Sequence, residues 1–209
     1  MSTPANPVSL AHWRRTVAEL YATVRAAGDT DAERTALAFR DARDRLFREH
    51  DDSPIAAERR GRWQGANWYP YAREWRLRGE VQLAPNVATF DIPLASDGVL
   101  RCARVGTVRF SARGREARLA LYWLCGYGGG LWLPFSDVTS GDATYAGGRY
   151  LYDTINGADL GAVDGGILLD FNYAYNPSCA YDERWSCPLS PLENQLGIPI
   201  EAGERSPLA

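Results

Sequence analysis

Histidine is nearly absent from this chain: His12 and His50 are the only two among 209 residues, and both fall in stretches that read as helix. A histidine-dependent catalytic triad therefore has no base near any loop. Cysteine is sparse as well. Cys102, Cys125, Cys179 and Cys187 are too few and too scattered for a disulfide framework at this length. No pair has C-x2-C spacing, and seven residues separate Cys179 from Cys187. No metal site is expected, and the four are read as thiols of a reducing compartment. Long apolar runs are missing; none approaches the ~20 residues of a membrane span. The start, MSTPANPVSLAHWRR, lacks the apolar core and small-residue cleavage site of a signal peptide. A cytoplasmic protein without a membrane partner is expected. Basic charge is not in excess either. A formal net charge of −3 excludes the footprint of a general nucleic-acid binder. There is no internal repeat.

What is present suits one globular domain with an appendage. Hydrophobic residues make up 45 % of the chain, enough at this length for a substantial core. From Ser9 a helical stripe of Leu10, Trp13, Val17, Leu20, Tyr21 and Val24 runs to a terminal Gly28. Thr30 and Glu33 have capping-box spacing and predict a second helix to about His50. Its charged run, which includes Arg34, Arg40, Asp41, Arg43, Asp44 and Arg45, reads as a solvated face. Ser53-Pro54 predicts a short third helix. Five large rings then crowd residues 63–75, either as a connector pinning helices to a sheet or as a wall for an apolar ligand.

Period-2 patterns follow. Trp75, Leu77, Val81 and Leu83 alternate with Arg76, Arg78, Glu80 and Gln82. Ser96-Asp97-Gly98 reads as a hairpin turn, and Gly106 as a bulge in a long strand. The glycines of 126–130 sit between two strands, so they read as a hairpin rather than a phosphate loop. About seven strands with short connections, and no alternation with helices, predict a mainly β fold of α+β type. An antiparallel barrel or sandwich over residues 63–209, strands from about 74 to 174, carries an outer helical segment 1–62.

The stretch around which the site is expected is GGILLDFNYAYNPSCAYDERWSCPLSPLEN, residues 165–194. It begins as a buried strand on which Asp170 and Asn172 share a face. Pro177 ends the ladder, and a ring-rich segment follows that is too aromatic to be disordered. Its polar residues either order a proline-rich crossing or line a pocket that the crossing caps.

Two segments, LWLPFSDVTSGDATYAGGRYLY and LLDFNYAYNPSCAYDERWSCPLSPLENQL, carry a resemblance to a bacterial and archaeal family catalogued as domain of unknown function 1684. The matching positions are 133–137, 139–141, 144–145, 148–151, 169–172, 174–177, 179–181, 185–189 and 193–194. The resemblance covers roughly residues 45–204. It departs at 126–130, which is longer than the family pattern, and at Ser190, where that pattern has proline. The resemblance implies the fold and the place of the site but no activity.

Three functions compete. In the first, residues 170–194 cap the pocket of a small-molecule enzyme or binder. Asp170 or Glu193 would be the general base, Tyr181 or Tyr145 an oxyanion donor, and Cys179 a nucleophile if its thiolate is stabilised. Asp137, Thr139, Ser140, Tyr145, Arg149, Asn172, Asn176 and Asn194 would bind the ligand, Arg149 clamping an anion. In the second, the protein is a scaffold or partner-binding module, and Arg149 and Asp170 form a buried ion pair across the sheet. In the third, flavin mononucleotide binds with its phosphate on Arg149, Thr139 and Ser140. A homodimer is compatible with all three.

Overall fold

The computed structural model describes residues 6–94 and 98–207. Two long helices, α1 (Pro7–Ala27) and α2 (Ala32–Glu49), precede a short α3 (Ala57–Arg60). Eight strands follow: β1 (Arg76–Leu83), β2 (Thr89–Pro93), β3 (Val99–Ala112), β4 (Arg115–Leu124), β5 (Gly130–Phe135), β6 (Arg149–Asp153), β7 (Ala162–Val163) and β8 (Gly166–Asp170). All pair antiparallel in one sheet of order β6-β5-β4-β3-β1-β8-β7, with β2 continuing along β3 beyond β1. The mainly antiparallel class with helices outside is the one expected. The strand count is eight rather than about seven, because the two-residue β7 is too short to carry a period.

Local signals account for the elements. β3 and β4 shift register between Arg104 and Gly106, the expected bulge. Only glycine fits there, because a Cβ on Gly106 would lie 2.7 Å from the Gln82 carbonyl oxygen. Asp164-Gly165 turns β7 into β8, with Gly165 at φ +71°. The expected turn at Ser96-Asp97-Gly98 falls largely on residues 95–97, outside the described residues.

Four local expectations are corrected. α1 begins at Pro7, earlier than Ser9, because Asn6 caps it by accepting from the Ser9 amide at 3.1 Å. α2 begins after Asp31 with no side-chain cap, so Thr30 and Glu33 do not form the box. Ser53 closes α2 rather than opening α3: its hydroxyl donates to the Phe47 carbonyl and accepts from the Ile55 amide. The strand at 166–170 also stops at Asp170 rather than at Pro177, and residues 171–173 form a 3-10 turn, so Asp170 and Asn172 do not share a strand face.

The core has two faces. On β4, Leu119 and Leu121 join a cluster with Tyr21, Phe39, Phe110, Leu133 and Phe171. Ala120, Tyr122 and Leu124 join a second cluster with Leu100, Trp132 and Tyr150. A strand buried on both sides has a near-continuous apolar run, as here. The C-terminal segment then returns over the sheet, pairing Gln195 with Ser136 and Glu204 with Trp68, and buries Ile200, Ala202 and Glu204.

Candidate functional site

Three polar assemblies occupy the interior, and they distribute the expected site residues differently. The first holds Arg149. Its Nη1 donates to the Ala202 and Glu204 carbonyls at 2.5 and 3.1 Å, and its Nη2 to Asp137 Oδ2 and the Ile200 carbonyl at 2.7 and 2.9 Å. All four Nη hydrogens are engaged inside the protein. Asp137 Oδ1 in turn accepts from the Thr139 amide and hydroxyl, both at 2.7 Å, and the Ser140 hydroxyl accepts from the Asp137 amide. The expected Arg149–Asp170 pair is therefore not formed. The anion clamp is corrected for the same reason, as is the flavin phosphate seat on Arg149, Thr139 and Ser140: Arg149 ties the C-terminal return to β6, and the Thr139 and Ser140 hydroxyls are engaged with Asp137.

Asp170 belongs to the second assembly. Its Oδ2 accepts from Arg76 Nη1 at 2.8 Å and its Oδ1 from the Asn172 amide and side chain. Asn172 also pairs with both backbone groups of Ala72, at 2.9 Å each, as a strand would. Burial raises the Asp170 pKa, opposed by Arg76 and Asn172. Asn194 works similarly elsewhere. It takes the Ala120 amide at 2.7 Å and donates to the Ala120 and Pro134 carbonyls, bridging β4 to β5 where their neighbour β6 slips register. Glu193 lies at the surface between Tyr122 Oη at 2.5 Å and Arg104 Nε at 3.0 Å.

The third assembly was not legible in the sequence. Glu204, fully buried, accepts from Arg43 Nε at 2.7 Å, from the Asn176 amide at 2.7 Å and from Tyr181 Oη at 2.5 Å. Tyr181 is thereby committed and does not serve as a free oxyanion donor. The charged run of α2 is not a solvated face throughout: Arg40 and Arg43 are buried, 8 % exposed each. They continue the inward stripe Ala36, Phe39, Phe47, and each guanidinium lies over a ring, Arg40 over Trp68 and Arg43 over Phe47 and Tyr175. Guanidinium stacks on aromatic faces and keeps its charge, so it can serve as an apolar-facing residue when its hydrogens are met.

Beside this assembly opens a cleft of about 560 Å³ between α1, the second core cluster and residues 175–188. Its walls are aromatic, with Trp13, Trp132, Tyr150, Tyr175 and Trp185, and Arg43 also lines it. Asp153, at the end of β6, contributes a carboxylate. Its Oδ2 accepts from Asn156 Nδ2 at 2.7 Å, whereas Oδ1 is buried with no partner among the described residues. Burial raises its pKa, with Asn156 only partly opposing. Asn176 donates Nδ2 to the Arg205 carbonyl at 2.7 Å and leaves Oδ1 unmatched; Trp132 Nε1 is unmatched as well. Burial also holds the Tyr150 and Tyr175 phenols far above their ordinary pKa, so they stay neutral.

Of the residues expected at a site, Asn176 lines this cleft, and Cys179 and Tyr145 stand just behind its wall. Tyr145 Oη is 3.6 Å from Cys179 Sγ, and the Cys179 amide donates to Cys187 Sγ at 3.3 Å. Cys187 itself lines the cleft. The two histidines meet each other instead, stacked with Nδ1 of His12 3.0 Å from Nε2 of His50. No group of three or more metal-ligating side chains occurs among the described residues. No helix among them is long and apolar enough to cross a membrane.

Residues 61–205 match the model of the family described as "Protein of unknown function (DUF1684)". The chain belongs to this family. Its fold is similar to that of an uncharacterized protein from gene locus rrnAC0354 of Haloarcula marismortui, solved in solution by NMR. The TM-score is 0.62 with 34 % identity, over 84 % of this chain and 94 % of that one. None of the curated proteins compared with the chain matches it. The family match spans all the strands and the crossing 175–188, and leaves α1 and α2 outside it. The cleft of this family member is therefore walled on one side by a helix that the family model does not include.

Proposed function

We propose that the protein binds a compact small molecule in the cleft between α1 and residues 175–188. One observation carries the reading: two buried acceptors and one buried donor, Asp153 Oδ1, Asn176 Oδ1 and Trp132 Nε1, are unmatched, and all belong to residues lining the same cleft. An unmet buried polar atom costs about 1–3 kcal/mol. Three around one concavity are the pattern of a site whose hydrogen bonds are completed by its occupant. A volume of about 560 Å³ lies in the range of ligand pockets. The ligand class follows from the walls. It has a flat or apolar body for Trp132, Tyr150 and Trp185, a hydrogen-bond donor or amine for Asp153, and an acceptor for the indole N–H. The four free thiols fit the reducing, cytoplasmic setting expected from the sequence.

Native mass spectrometry of the freshly purified protein, followed by a thermal-shift screen of amines, amides and heterocycles, tests this. The expected result is a bound mass or a stabilising compound whose effect is lost in Asp153→Ala and Trp132→Leu. Absence of any bound mass and any stabilising compound, or stabilisation that survives both substitutions, would overturn it.

A further inference from the structure

The two cysteines of the crossing form a structural pair that the binding function does not use. Cys179 is the middle residue of a 3-10 turn, Ser178–Ala180, that follows Pro177. Cys187 precedes Pro188, whose carbonyl accepts from Tyr150 Oη, and Ser190 is held through its amide to the Gly147 carbonyl. Ahead of the turn Tyr175 pairs with Tyr150, so both limbs of the crossing are anchored to the β6 region. The anchoring brings Cys187 Sγ to 3.3 Å from the Cys179 amide, so the two cysteines are direct neighbours across the crossing. Tyr145 Oη approaches the Cys179 sulfur from the other side at 3.6 Å. Its ring is kept in place by Gly147, where a Cβ would come within 2.5 Å of it. Both sulfurs belong to half-buried residues, whereas Cys102 is fully buried.

We propose that Cys179 and Cys187 are a reversible dithiol–disulfide couple built into the wall of the cleft, with Cys179 the attacking sulfur, Cys187 the resolving one, and a low-molecular-weight disulfide the oxidant. Cys179 attacks one sulfur of the oxidant, an S–S bond breaks, and the first small thiol leaves. Cys187 then attacks the Cys179 sulfur of the mixed disulfide and expels the second. Two electrons pass from the pair to the oxidant, and the two protons end on the released thiols. The division of roles follows from the contacts. Hydrogen bonds from Cys187 and Tyr145 lower the Cys179 pKa to about 6 against the opposing effect of burial, so its thiolate is present at neutral pH. Cys187, next to that thiolate, is held protonated. Because Cys187 lines the cleft with Trp185 and Pro188, the bond is made in the binding wall itself.

The test uses the unmodified protein, incubated with excess oxidised glutathione, quenched with iodoacetamide, and examined by intact mass and peptide mapping. The expected product has lost about 2 Da, is protected from alkylation at Cys179 and Cys187 together, and is restored by dithiothreitol. Cys187→Ser should instead accumulate glutathione on Cys179. The alkylation rate of Cys179 should rise around pH 6 in the unmodified protein. Free alkylation of both residues after oxidation would overturn the proposal. So would a glutathione adduct that persists on Cys179 with Cys187 intact, or a bond between Cys102 and Cys125 in its place.

Discussion

Arg43 Nε donates to Glu204 Oε1 at 2.7 Å, joining the middle of α2 to the end of the C-terminal return. The Glu204 carboxylate is fully buried, and its other oxygen holds Tyr181 and the Asn176 backbone. One carboxylate therefore fixes the helix, the crossing and one edge of the cleft at once. Removing a partner from a buried ion pair leaves an uncompensated charge and costs about 3–5 kcal/mol. Glu204→Ala should lower stability by that order in urea unfolding. Glu204→Gln keeps the hydrogen bonds to Tyr181 and Asn176 and should cost less.

Arg149 gives an independent test, because it fills four acceptors with a planar fork. Lysine has three donors on one atom and cannot reproduce that geometry. Arg149→Lys should therefore behave almost like Arg149→Ala, with a loss of roughly 3–5 kcal/mol in each. If Arg149→Lys melts like the unmodified protein, the clamp on Asp137 and the 200–204 backbone is not what holds the return.

Asp153 should show the opposite sign. Its folded-state pKa is raised above 3.8 by burial, so the folded chain binds more protons than the unfolded one as pH rises from there. Stability is thus lost with rising pH from about 4 upward through the folded value. Asp153→Asn keeps an acceptor for Asn156 and removes the buried charge. It should raise stability at pH 7 by on the order of 1 kcal/mol, and the gain should vanish below pH 4. Part of the slope should remain, because the Asp170 pKa is raised as well. Paired urea titrations at pH 3.5 and pH 7 decide it; an equal difference at both would contradict the assignment.

Gly106→Ala tests the bulge. The added Cβ would stand 2.7 Å from the Gln82 carbonyl oxygen and 3.3 Å from the Leu83 Cα. Both contacts are backbone, so β1 must move away from β3. A loss of about 1–3 kcal/mol is expected in thermal unfolding, with no effect on alkylation of Cys179.

Features that depend on near neighbours are legible in the residue order alone. Helical stripes before residue 51, alternation in β1, the bulge at Gly106 and the turn at Asp164-Gly165 are set within a few residues, and the family motifs locate the crossing. Which polar groups meet emerges only once the chain is folded. Arg43 and Glu204 are 161 positions apart, and Asn172 and Ala72 are 100 apart. No local period records such pairings. A buried arginine on a helix looks like a solvated one until the ring beneath it and the carboxylate opposite it are in place. Arg149 and Asp170 illustrate the reverse error. Both are buried polar residues on strands, as read, but the sheet order puts β6 at one end and β8 next to the other. Strands near in sequence commonly neighbour one another, but β6 and β8 do not. Asp170 therefore pairs with Arg76 on the adjacent β1, and Arg149 with Asp137 and the returning chain. The cleft has the same origin. Asp153, Asn176 and Trp132 come from different segments, and only the path of the chain makes their unmatched atoms one site.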